Sequence, residues 1–266
     1  MTARARRAWL LLLFFAALAF GALLEYVLPV ADGLASGLTR EAATRMSYAA
    51  AAAALVGLAV VPLRPATPTR LAWLALAAAM AVAINNFPIA TLLIHRTATV
   101  TAGAEAIFAF LLSCLATALF EELLFRAFLL PLCLARLGTD RRGGFAAVLL
   151  SSAIFGAMHL FNLAGGNVGG VLLQVGYSFL IGCVAATLCC LFGRLLPAVI
   201  FHATYNACGY FVPTLGTGPL YDTPTVVVTV LLSLACAAAV FFALWQKFSP
   251  TLRHTGAENA QKSKKI

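Results

Sequence analysis

Eight apolar runs divide the chain, and their lengths decide what it can fold into. They cover roughly Ala8–Leu28, Ser47–Leu63, Leu71–Ile94, Ala104–Leu130, Phe145–Leu163, Val168–Phe192, Leu196–Val212 and Val226–Trp245. A helix crossing ~30 Å of hydrocarbon needs about 20 residues. The second and seventh runs are short, and the fourth is long enough to tilt or to project past the bilayer. With 62% hydrophobic residues and a mean hydropathy of +0.96, no soluble domain is in view. The short alternating strands of a membrane barrel are not visible either. The expected class is an all-α polytopic membrane protein of about eight transmembrane helices.

The charges fall between the runs. With eight spans and the N-terminus inside, the cytoplasmic side receives Arg4, Arg6, Arg7, Arg64, Arg70, Arg136, Arg141, Arg142, Arg194, Lys247, Arg253, Lys262, Lys264 and Lys265. The outer side receives Arg40, Arg45 and Arg96, and Arg126 alone lies within a span. That bias is the positive-inside pattern and sets both termini in the cytoplasm. The net charge of +9 therefore reflects loop placement and headgroup contact rather than nucleic acid. Arg4, Arg6 and Arg7 before an apolar run resemble a signal peptide, but the run is too long and lacks a small-x-small cleavage site, so a retained first span is expected. The seven cysteines include no C-x-x-C and read as small apolar packing residues. Pro88 predicts a kink in the third span. Gly165, Gly166, Gly169 and Gly170 predict a flexible turn or a close helix crossing.

A few strong polar groups remain at membrane depth, where each is expensive unless paired or wetted. Glu121, Glu122 and Arg126 lie in the fourth run, His159 in the fifth, and His202 and Asn206 in the seventh. Asn85, Asn86 and Gln174 form a weaker set. Glu122 and Arg126 are four apart, acid first, and share a helical face as an ion pair. Glu121 is turned about 100° away and has no local partner. Phe155 precedes His159 by one turn, and His202 and Asn206 point the same way. A purely structural network of the three charges is the plain alternative, but it has no use for the spare carboxylate. Together the groups imply that the spans enclose an intramembrane polar cavity. A carboxylate beside an imidazole can activate water. An imidazole and an amide can donate to a developing oxyanion. Those are the parts for hydrolysing an amide inside a membrane.

The motifs Glu121-Glu122-x-x-x-Arg126, Phe155-x-x-x-His159 and His202-x-x-x-Asn206, in that order and on those spans, resemble the CPBP intramembrane proteases. That family includes CAAX prenyl endopeptidases of the Rce1 type and many bacterial Abi and bacteriocin-processing proteins. The resemblance covers roughly Ala104 to Tyr210. It divides the chain into N-terminal helices (1–103), a CPBP-like catalytic core (104–212), and a final helix with a basic tail (213–266). It implies Glu121 as the base that activates water, with His159 assisting. Glu122, Arg126 and Phe155 would support the site, and His202 and Asn206 would stabilise the oxyanion or orient the water. The family has been described both as metal-dependent and as a glutamate-type protease without metal. The chain has no H-E-x-x-H, and the metal-free reading is the expectation here. Zinc held by Glu121, His159 and His202 is the alternative. The expected substrate is a membrane-anchored protein or peptide, and the expected location is the inner (cytoplasmic) membrane of a bacterium. Three rivals compete. A proton-coupled transporter would use the same residues as a relay. A haem protein would use His159 and His202 as axial ligands. A non-catalytic membrane immunity protein would keep the fold without turnover.

Overall fold

The structure is a computed structural model, and it describes residues 3–27, 32–59, 63, 65–165 and 167–249. Expectations placed on Leu28, Arg64, Gly166, Arg253 and the tail lysines Lys262, Lys264 and Lys265 lie outside those residues. Among the described residues, ten α-helices follow one another: α1 (Ala3–Ala22), α2 (Leu34–Ala59), α3 (Arg70–Asn85), α4 (Ala104–Glu122), α5 (Leu130–Leu137), α6 (Arg141–Met158), α7 (Val168–Phe192), α8 (Leu196–Gly209), α9 (Phe211–Leu215) and α10 (Thr223–Lys247). The described strands are β1 (Thr99–Val100) and β2 (Gly216–Thr217), one antiparallel pair in a loop region. Hydrocarbon offers the backbone no partners, and helices, which bond their own peptide groups, accordingly dominate the described residues.

Among the described residues, six helical segments are long and apolar enough to cross a membrane. The third and seventh runs form helices of 16 and 14 residues, α3 and α8, which fall short of that length. The chain is an all-α, multi-pass membrane protein. Several boundaries differ from the sequence expectation for identifiable reasons. The third run is interrupted at Asn86–Ile89, around Pro88: α3 ends at Asn85, with the Asn86 N–H turned back to the carbonyls of Ala83 and Ile84. Asn86 is buried, and its Oδ1 accepts from Tyr221 at 3.1 Å, a tertiary bond that holds the break. The second run begins earlier than expected, at Leu34, so Arg40, Glu41 and Arg45 lie on α2 rather than in a loop. The fourth run continues unbroken to Leu137 as α4, a wide π-helical stretch over Leu123–Leu129, and α5. Pro131 lacks the N–H that would bond one turn back, and the widened turns before it absorb that loss.

Packing uses small residues where backbones must approach, because apolar burial gives little drive between helices in lipid. Ala72, Ala75, Ala79 and Ala83 form a fully buried seam along α3 in the main core, with side chains from α5, α6, α7, α8 and α10. Asn85 near the end of α3 donates to Thr229 near the start of α10 at 2.7 Å, so these two helices run antiparallel. The N-terminal end of α3 meets the C-terminal end of α7, where Ala66 N–H donates to Phe192 O at 3.1 Å. The start of α6 meets the end of α10, where the Arg141 guanidinium lies 3.7 Å from the Trp245 ring centre. Arg70, Arg141, Arg194 and Lys247 thereby gather at one end of the bundle. All seven cysteines are free, buried or half-buried.

The close crossing falls elsewhere than in the glycine cluster of the sixth run. Gly169 and Gly170 sit in the first turn of α7, where Asn167 caps the Gly170 N–H at 2.6 Å. One tight contact is between α6 and α7. A Cβ on Gly156 would lie 2.9 Å from the Val175 carbonyl, and one on Gly182 would lie 3.0 Å from Ser152 Cβ and 3.2 Å from Phe155 Cδ1. Gly182→Leu is expected to destabilise the fold by about 1–3 kcal/mol through overpacking. Gly176→Leu, on the same helix with nothing within 4 Å, is expected to be neutral. Thermal unfolding of the two variants in detergent checks the contrast.

Candidate functional site

The α4–α5 segment carries the first polar cluster, and its two carboxylates diverge. Glu122 and Arg126 are fully buried, with Nε 3.2 Å from Oε2. The contact is an ion pair by distance, but the Nε–H is not aligned on the oxygen, so it does not count as a hydrogen bond. Glu121 is part-exposed and borders a cavity of about 510 Å³.

His202 joins the two acids. From α8, its Nδ1 lies 2.8 Å from Glu122 Oε1, and its Nε2 lies 3.6 Å from Glu121 Oε2. An ionised carboxylate can only accept, so with Glu122 ionised against Arg126 the hydrogen of the short contact sits on Nδ1. The second distance exceeds a direct hydrogen bond, a spacing at which a bridging water is the natural question. Glu122 is thus the orienting group for the imidazole, and Arg126 balances its charge from the other side. Sequence spacing paired Glu122 with Arg126 alone and had no means to find His202, which is 80 residues away.

His159 stands on a different wall. It caps α6, and the chain continues beyond it as a tight 3₁₀ turn over His159–Ala164. Its Nδ1 is 3.1 Å from the Phe155 carbonyl, which can only accept, so Nδ1 carries the hydrogen. Its Nε2 is then free to accept from the Ser178 hydroxyl at 3.4 Å. The imidazole within ion-pair distance of Glu121 is therefore His202, where the sequence left His159 as the facing partner. Asn206 lies one turn after His202 and lines the same cavity.

Phe155 is the hub behind these groups. The Arg126 guanidinium lies 4.3 Å from its ring centre, a cation–π distance. The rings of His159 and His202 meet it nearly perpendicularly, at 5.2 and 5.9 Å. The bulk of one buried phenyl therefore sets the position of both imidazoles and the arginine.

Glu121, Phe155, His159, His202 and Asn206 all line the one cavity, while Glu122 and Arg126 stand behind its wall. Sequence reasoning missed Ser178, Tyr177, Glu41 and Arg45, which line it too. A signal existed for three of them. Gln174 and Ser178 are four apart on the sixth run, and Glu41 and Arg45 are four apart before the second. Among the described residues, no three His, Cys, Asp or Glu side chains form a group that could hold a metal ion. Glu121, His159 and His202 are not gathered into such a group, although Nδ1 of each imidazole is held from behind, by the Phe155 carbonyl and by Glu122, an arrangement that leaves Nε2 available as a ligand. Residues 103–208 match a family model described as type II CAAX prenyl endopeptidase Rce1-like. No curated protein and no solved structure matches the chain.

Proposed function

We propose, from the match of residues 103–208 to the Rce1-like family model, that this chain is an intramembrane endopeptidase in which Glu121 activates water. The observation that carries the proposal is His202, held by Glu122 on one nitrogen and facing Glu121 with the other. A water between Glu121 and His202 gives its proton to Glu121 as its oxygen bonds to the scissile carbonyl carbon. The carbonyl oxygen becomes an oxyanion, for which the Asn206 amide is the nearest neutral donor on the same helix face as His202. Glu121 then returns the proton to the amide nitrogen as the C–N bond breaks, leaving a carboxylic acid and an amine. His159, lining the same cavity beside Ser178, assists in orienting the water. The substrate is a membrane-anchored protein or peptide whose scissile bond reaches the cavity within the bilayer. The N- and C-termini lie in the cytoplasm of a cell whose inner membrane holds the protein.

The test is cleavage of a library of membrane-anchored peptides by the full chain in liposomes, with products identified by mass spectrometry. Asn206→Ala is expected to lower kcat by about 10²-fold with a smaller change in KM, as for loss of one oxyanion donor. Exhaustive chelation is expected to leave the wild-type rate unchanged, with no metal by elemental analysis. A rate lost on chelation and restored by zinc would overturn the metal-free mechanism.

A further inference from the structure

α7 is apolar along most of its length, and its polar side chains gather in one turn. Gln174, Tyr177 and Ser178 are spaced to share a face, and all three line the catalytic cavity. Thr187, further along, is satisfied by the Cys183 carbonyl of its own helix at 2.8 Å. Ser178 already meets His159. Gln174 meets the 3₁₀ turn instead. The Asn162 Nδ2 donates to the Gln174 Oε1 at 2.9 Å, and Asn162 lines the cavity as well. That bond ties the turn to α7, but it uses only one end of each amide. It leaves the Gln174 Nε2 donors and the Asn162 Oδ1 lone pairs uncommitted.

A donor beside an acceptor complements one residue of an extended chain, whose N–H and C=O point to the same side. Hydrolysis within a bilayer creates the need for such a partner. A substrate helix bonds its own peptide groups and shields the scissile carbonyl, so cleavage requires it to unwind. Unwound backbone groups at membrane depth find no partners in lipid and must find them in protein. Resting on the protease reading, we propose that Asn162 and Gln174 form a backbone-binding subsite for the substrate. Gln174 Nε2 donates to the carbonyl of one extended substrate residue, and Asn162 Oδ1 accepts from that residue's N–H. The ligand is thus an unwound peptide segment, whatever its side chains. Its distance from the chemistry follows from α7. Gln174 precedes Ser178, the neighbour of His159, by four residues, or about 6 Å of helix. An extended chain rises about 3.3 Å per residue, which places the bound residue roughly two positions from the scissile bond.

The test measures binding in a chain that does not cleave. The full chain carrying Glu121→Gln, in detergent micelles, is titrated with an N-palmitoyl hexapeptide of alanine and leucine that bears a photo-cross-linking group, and saturable cross-linking is read by mass spectrometry. So short a peptide holds no helix and presents unwound backbone. In companion peptides each backbone amide in turn is replaced by an ester, which removes one N–H and leaves the side chains alone. One ester position is expected to weaken binding about fivefold, the loss of one neutral hydrogen bond. Asn162→Leu, at an exposed position, is expected to weaken the all-amide peptide by a similar factor and to abolish that ester's further effect. Gln174→Met is expected to weaken the all-amide peptide about fivefold as well. A merely structural tie would leave the ester effect in place in Asn162→Leu, and that result would overturn the proposal. So would a flat ester scan, or no saturable binding. If the ester pattern appears while the wild-type chain cleaves nothing in the peptide library, the protease reading fails and the backbone subsite stands.

Discussion

Glu121→Gln is expected to abolish peptide cleavage, lowering kcat by about 10³-fold or more, within the range that one positioned general base contributes. The substitution keeps size and hydrogen bonding but removes the ability to take a proton. Because Glu121 faces the cavity and is part-exposed, the change leaves the buried Glu122–Arg126–His202 cluster intact. Thermal unfolding of Glu121→Gln in detergent is therefore expected to match wild type. The rate loss would then be chemical rather than structural. His159→Ala separates the two imidazoles: it is expected to reduce the rate less than Glu121→Gln, because His159 only orients. Retained cleavage in Glu121→Gln would sink the mechanism, and a fall in its unfolding temperature would move Glu121 to a structural role.

The sequence made the divergence of Glu121 and Glu122 readable because it depends only on the 100° step of one helix. The same is true of the shared face of His202 and Asn206. The link from His202 to Glu122 was not readable, since it arises where α4 and α8 pack and no local pattern records that pairing. His159 shows the opposite limit. Its placement on a span was legible, but α6 ends just before it, and the turn redirects the ring to Phe155 O and Ser178. The polar pair Glu41 and Arg45 was visible but read as loop, because alanine-rich residues before the second apolar run carry too little hydropathy to mark a helix that starts at Leu34. The interruption of the third run was legible from Pro88, which ends helices locally, whereas the bond from Tyr221 to the buried Asn86 was not.

The second large effect belongs to Glu122, and it is a stability effect before it is a catalytic one. Glu122 has no exposure and sits between the Arg126 guanidinium and the His202 ring. Glu122→Leu leaves Arg126 as a buried charge facing an apolar wall, and a loss of about 3–5 kcal/mol is expected, as when one partner of a buried pair is removed. The double variant Glu122→Leu with Arg126→Met removes both charges together. It is expected to recover most of that loss, since well-packed apolar replacements of buried pairs are often neutral. The recovered fold should nevertheless stay inactive. His202 loses the carboxylate that holds Nδ1, so its Nε2 is no longer directed toward Glu121. Chemical denaturation of the single and double variants, read beside cleavage rates, tests the two roles separately. A double variant that is both stable and active would show that the buried pair holds the helices together and does nothing for the imidazole.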